Sequence, residues 1–108
     1  MEKINLFIVA DNALVANGLK HYLNQKFSNI NVFNFYDSRS CLKHINKETQ
    51  VVILDHVIHG KSGIDTLRSI KTINPDTEVI MHTSGEDVVN FLNGYYKGDT
   101  GFLVQKAN

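Results

Sequence analysis

Hydrophobic residues gather into five short runs, Ile4 to Ala10, Ile30 to Phe35, Val51 to Asp55, Glu78 to Thr83 and Gly101 to Gln105, separated by helix-length stretches. Unbroken apolar runs such as Leu6-Phe7-Ile8-Val9-Ala10 and Val51-Val52-Ile53-Leu54 read as strands buried on both faces, the pattern of a parallel sheet between helical layers. The second run, Ile30-Asn31-Val32-Phe33-Asn34-Phe35, alternates apolar and polar residues and so fits an edge strand. Between the runs the period becomes helical. Val15, Leu19, Tyr22, Leu23 and Phe27 mark a first helix after a candidate cap at Asn12. Asp37 or Ser38 can cap a short second helix with Leu42 and Ile45 turned inward. Ile64, Leu67, Ile70 and Ile73 predict a third that stops at Asn74-Pro75, and Val88, Val89, Leu92 and Tyr96 a fourth over about Glu86 to Lys97. Strand and helix alternate throughout, and right-handed crossovers then predict a doubly wound α/β sheet. The chain stops three residues after the fifth run, so one face of that sheet is expected to lack a helix.

Composition narrows the class. With 108 residues, 43% of them hydrophobic, the chain is expected to be one domain burying roughly two thirds of its unfolded surface. Eleven basic and eleven acidic residues cancel, so no global field argues for direct contact with nucleic acid or a membrane surface. A lone Cys41 excludes an intrachain disulfide. No leader pattern or long apolar stretch marks export or a membrane span, and the expected location is cytoplasmic.

Candidate chemistry sits where apolar runs end. Asp11 follows the first run, Asp55 the third, and Thr83 the fourth, so a parallel sheet brings all three to its carboxyl edge, where such sheets carry their sites. Two carboxylates about 4 Å apart repel by roughly 4 kcal/mol at an effective dielectric of 20, which argues for a cation between them. Oxygen donors suit Mg²⁺. With that charge offset, an Asp55 oxygen can attack a phosphoryl group while the Thr83 hydroxyl and loop N–H groups bind its oxygens. His56 and His59 fit solvated loop residues better than metal ligands, His82 a core histidine, and Cys41 packing rather than nucleophilic chemistry.

At these residues the chain resembles the receiver domain of bacterial two-component response regulators. The resemblance rests on Phe7-Ile8-Val9-Ala10-Asp11-Asn12 with Gly18-Leu19, and on Val52-Ile53-Leu54-Asp55 followed by Gly60 and Gly63-Ile64-Asp65. It continues through Val79-Ile80-Met81-His82-Thr83-Ser84 and Gly98-Asp99-Thr100-Gly101-Phe102-Leu103, and so spans the whole chain. It implies a flavodoxin-like five-stranded parallel sheet of order 2-1-3-4-5, with the last helix absent from this chain. It further implies that Asp55 accepts a phosphoryl group from a sensor histidine kinase, that Asp11, Asp55 and the Val57 backbone carbonyl hold Mg²⁺, and that Thr83 and Phe102 are the switch residues. The implied role is signalling rather than enzymatic. An output domain beyond Asn108, expected to control transcription, and a homodimer through helix four and strand five complete the picture; Tyr95-Tyr96 fall on that face.

Two positions depart from the family pattern. Ala10 replaces the first of two acids after strand one, and Gln105 stands where the family has a lysine, with Lys106 one residue later. Adjacent strand residues point to opposite faces, so Lys106 reaches the site only through a bulge or a strand end. These departures motivate the alternative of a phosphorylation-independent pseudo-receiver that acts as an interaction or dimerisation module. A nucleotide-binding enzyme is disfavoured, since neither Gly-x-Gly-x-x-Gly nor a Walker loop occurs.

Overall fold

The computed structural model describes residues 3–55, 57–58, 61–81 and 85–96. In chain order its elements are β1 (Ile4–Val9), α1 (Ala13–Lys26), β2 (Ile30–Phe35), α2 (Ser38–His44), β3 (Thr49–Leu54), β4 (Val57–Ile58), β5 (Lys61–Ser62), α3 (Gly63–Ile73), β6 (Glu78–Met81) and α4 (Gly85–Tyr96). Four strands form a parallel sheet in the order β2-β1-β3-β6. The most apolar runs, β1 and β3, are interior as expected, and the alternating β2 is at an edge. The five-strand expectation is not confirmed: among the described residues the parallel sheet has four strands, β6 standing at the fourth position of the expected order, and Gly101 to Gln105 lie outside them.

Alternation along the strands divides the core between two faces. Leu6, Ile8 and Ala10 of the first strand and its end, with Val51, Ile53 and Ile80, pack against Ala16 and Leu23 of α1. Phe7, Val9, Val52, Leu54, Val79 and Met81 face Cys41 of α2, Ile45 just beyond it, and Leu67 and Ile70 of α3. Full burial of one such Leu or Ile contributes about 1.5–3 kcal/mol. Thr66 Oγ1 donates to Ser38 Oγ at 2.8 Å, joining α3 to the start of α2.

The expectation of an under-covered face is corrected by α4. Val88, Phe91 and Leu92 lie in the same cluster as Ile8, Ile53 and Ile80, which places α4 beside α1 rather than beside α2 and α3. A right-handed crossover from β6 to a further parallel strand would carry α4 over the opposite face. Its apolar stripe instead covers the half of the sheet that α1 leaves open, so two helices shield each face. Gly85 permits the approach, since a Cβ there would lie 3.0 Å from the Tyr22 ring carbons. At the other end of α4, burial raises the pKa of the Tyr95 phenol, with the Glu78 charge adding to the effect.

Three inward assignments change. Val15 is 58% exposed, and the first turn of α1 packs through Ala16. Ile73 is exposed at the end of α3, while Phe91 is fully buried. The helix spacings were right, but the small Ala16 and the aromatic Phe91 determine which turn touches the sheet.

Candidate functional site at the carboxyl end of the sheet

Register brings the two acids to neighbouring strand ends. Val9 pairs with Leu54 at the last rung of the β1–β3 ladder. The Asp55 backbone N–H donates to the Val9 carbonyl at 3.0 Å, and the Ala10 N–H donates to the Phe35 carbonyl at 3.0 Å. Neighbouring strands lie about 4.8 Å apart, so Asp11 and Asp55 emerge from adjacent backbones immediately past the sheet. Asp11 is exposed and Asp55 is half-buried.

The turn after Asp11 is defined by Asn12, whose Oδ1 accepts from the Leu14 and Val15 N–H groups at 3.0 and 3.2 Å. Asn12 therefore caps α1. Beside the acids a cavity of about 110 Å³ is lined by Ala10, Val15, Ala16, Leu19, Leu54 and Asp55. Its walls are apolar apart from Asp55, an environment that strengthens any electrostatic contact made at the mouth. Ala10 is buried in the α1-side cluster, so the position that lacks an acid is filled by packing. The adjoining surface carries Leu14, 82% exposed, and Val15. The sequence signal for this apolar step was the triplet Ala13-Leu14-Val15, more hydrophobic positions than one inward stripe can use.

Two residues past Asp55 the chain enters the antiparallel β4–β5 hairpin, with Val57 opposite Ser62, before the buried Gly63 begins α3. Sequence reasoning treated this segment as loop, because two-residue strands are too short to show a period. Val57 is thus in regular backbone next to the acids. His56, His59, His82, Thr83, Phe102, Gln105 and Lys106 lie outside the described residues.

Among the described residues no cluster of three or more His, Cys, Asp or Glu side chains could hold a metal. The donor set at this end is two carboxylates with backbone oxygens nearby. That chemistry fits a hard cation such as Mg²⁺, which binds few protein oxygens and keeps several waters. Cys41 takes no part: burial first, then the Asp37 charge, pushes its thiol pKa up to about 12, as suits a packing residue.

The response regulator receiver domain model matches residues 6–108. No curated protein sequence matches the chain. Among solved structures, Salmonella typhimurium RcsB response regulator, described for its conformational dynamism for DNA interaction, is 21% identical with a TM-score of 0.77. That alignment covers 99% of this chain but 66% of RcsB, so the chain spans about two thirds of that relative's length. The isolated REC domain of RcsB from Salmonella enterica serovar Typhimurium, in the presence of the phosphomimetic BeF3-, is 21% identical over 98% of this chain and 99% of its own, with a TM-score of 0.78. The BeF3-activated DrrB receiver domain is 24% identical over 89% of this chain and 79% of its own, with a TM-score of 0.63. At these identities the structural likenesses establish a shared flavodoxin-like fold. Given the family match from β1 to the last residue, the chain belongs to the response regulator receiver domain family.

Proposed function

We propose that this domain is the phosphoryl-accepting input of a two-component response regulator and that Asp55 is the acceptor. The observation that carries the reading is the placement of Asp55: half-buried, its peptide held by the Val9 carbonyl, one strand from Asp11, at the carboxyl end of an interior strand. Asp11, Asp55 and the Val57 carbonyl would hold Mg²⁺, which when bound offsets the charge of the carboxylates and of an arriving phosphoryl group. An Asp55 carboxylate oxygen attacks phosphorus, the bond from phosphorus to the donor's nitrogen or oxygen breaks, and the donor leaves with that electron pair. The apolar cavity beside Asp55 limits water at the new acyl phosphate.

The donor in this reading is a phosphohistidine of a sensor kinase, which makes the domain a cytoplasmic signalling module rather than an enzyme. Thr83 binds the phosphoryl oxygens and Phe102 repacks, shifting the population of two arrangements of the helix-four and strand-five face. Residues 1–108 then form one receiver domain of a longer protein, with an output domain or partner protein beyond Asn108 and a homodimer formed through the helix-four and strand-five face. RcsB itself has been solved in complex with DNA, which makes transcription the favoured output by analogy. No helix among the described residues is long and apolar enough to cross a membrane.

One observation favours the pseudo-receiver alternative. Ala10 is integrated into the core instead of presenting an acid, so this site has fewer carboxylates than the family pattern. Incubating the protein with Mg²⁺ and acetyl phosphate, followed by intact-mass spectrometry, separates the two. A single phosphoryl adduct that is absent from Asp55→Ala is expected; an unmodified, folded protein would favour the interaction module.

A further inference from the structure

The α2 flank of the sheet holds a second, larger concavity. It runs from Asn5 and Thr49 to Phe35 beside the last residue of α2, His44, and its volume is about 350 Å³. Phe7, Phe33 and Phe35 share that face by register, Phe7 opposite Phe33 and Val9 opposite Phe35. The Phe7 and Phe33 rings meet edge to face at 5.8 Å and 82°, and Phe7 and Phe35 are tilted at 4.8 Å. The His44 ring closes the cluster 5.2 Å from Phe35. Phe33 is 47% exposed, a large aromatic surface left open to solvent.

The polar lining is mostly committed. The Asn5 amide donates to the Glu48 carbonyl and accepts from Asn31; the Asn46 amide donates to the His44 carbonyl and accepts from the Glu48 N–H. Thr49 Oγ1 accepts from the Asn46 N–H. His44 Nδ1 lies 2.8 Å from the Ser40 carbonyl, which can only accept, so Nδ1 carries a hydrogen, and in the neutral form of the ring Nε2 then has the lone pair. The lining's one formal charge is the exposed Glu48 carboxylate, while Lys43 and Lys47 adjoin it in sequence without lining it. Each amide retains a spare N–H, but charge-assisted bonds to a carboxylate are about twice as strong as neutral ones. Aromatic faces, a carboxylate and an imidazole lone pair all favour a positively charged donor.

We propose that this groove, on the α2 flank of the sheet and separate from Asp11 and Asp55, is a binding site for a small organic cation, a protonated amine on an apolar body. The body covers Phe33 and Phe35, and the ammonium group donates to Glu48 and His44 Nε2. The volume is that of a small-ligand site.

The test titrates the whole protein with phenethylammonium, the anion phenylacetate and neutral 2-phenylethanol, followed by ¹H–¹³C NMR of the aromatic and methyl groups. Saturable shifts at Phe33, Phe35 and His44 are expected, with phenethylammonium bound at least about tenfold more tightly than phenylacetate. Glu48→Gln and Phe33→Leu, both at exposed positions, should keep the native spectrum and each weaken the amine by about three- to tenfold. The proposal is overturned by an unsaturable response, by equal affinity for amine and acid, by indifference to Glu48→Gln, or by shifts centred on Asp55 instead.

Discussion

The two ends of the same four strands are built on different principles. At the amino end, side chains stitch the strands and loops together. The Asn5 N–H donates to Gln50 Oε1 at 2.7 Å, Asn31 Nδ2 donates to Asn5 Oδ1 at 3.1 Å, Thr77 Oγ1 donates to the Thr49 carbonyl at 2.8 Å, and Asn74 Nδ2 donates to the Asn46 carbonyl at 2.9 Å. At the carboxyl end, the backbone does the positioning: the Ala10 and Asp55 N–H groups continue the ladders, and Asn12 and Asp37 cap the helices that follow. Side-chain amides and hydroxyls thus join neighbouring strands at the amino pole, whereas the side-chain bonds nearer the carboxyl pole, Thr66 Oγ1 to Ser38 Oγ and Asn34 Nδ2 to Asn17 Oδ1, join helices to one another or to β2.

The sharpest way to break this contrast is Asp55→Ala. If the carboxyl pole is functional and not structural, the variant loses the phosphate adduct entirely in intact-mass spectra, while its stability from urea unfolding stays within about 0.5 kcal/mol. A large loss of stability would place Asp55 among the stitching residues.

Cys41, the buried residue of α2, tests whether that flank is closed. Its thiol is raised from 9.0 to about 12 by burial, with Asp37 adding to the shift, so the folded state favours the protonated form. The resulting stabilisation is fully present below the unfolded value of 9.0 and is lost as pH rises toward about 12. Urea midpoints should fall between pH 8 and pH 11, and the fall should be smaller in Cys41→Ala, where the Tyr95 phenol, also raised by burial, still contributes. Alkylation of the native thiol at pH 8 should be much slower than in the unfolded chain, because the side chain is fully buried and its pKa is raised.

Thr77→Val probes the stitched end. It keeps the shape of a fully buried side chain but removes the donor to the Thr49 carbonyl, and an unpaired buried acceptor costs about 1–3 kcal/mol. The matching change at the carboxyl pole is the smallest. Asn12→Ala removes the α1 cap and should cost about 1 kcal/mol by urea unfolding, with the position of Asp11 altered only locally. A loss at Asn12 larger than at Thr77 would reverse the contrast between the poles.

Period and polarity made much of this molecule legible. Apolar runs of five, four and three residues identified β1, β3 and β6, alternation identified β2 as an edge, and the acids at the ends of β1 and β3 were already visible as a pair meeting across the sheet. The four helices lay where a 3.6-residue spacing put them, to within a residue or two at most ends. Less was legible where the signal is short or two-sided. The hairpin at Val57–Ile58 and Lys61–Ser62 is too brief to show a period, and Ala13-Leu14-Val15 offered more apolar positions than α1 can bury.

Local chemistry thus determined by itself which residues form strands and helices, where caps fall, and that carboxylates end two interior strands, because each depends only on neighbours in the chain. Two features depended on the tertiary structure: α4 sharing the α1 face, and three phenylalanines with His44 lining a groove beside the end of α2. Each depends on how much apolar area remains uncovered after the other elements pack. That quantity belongs to the assembled sheet, since burial is decided between residues distant in sequence.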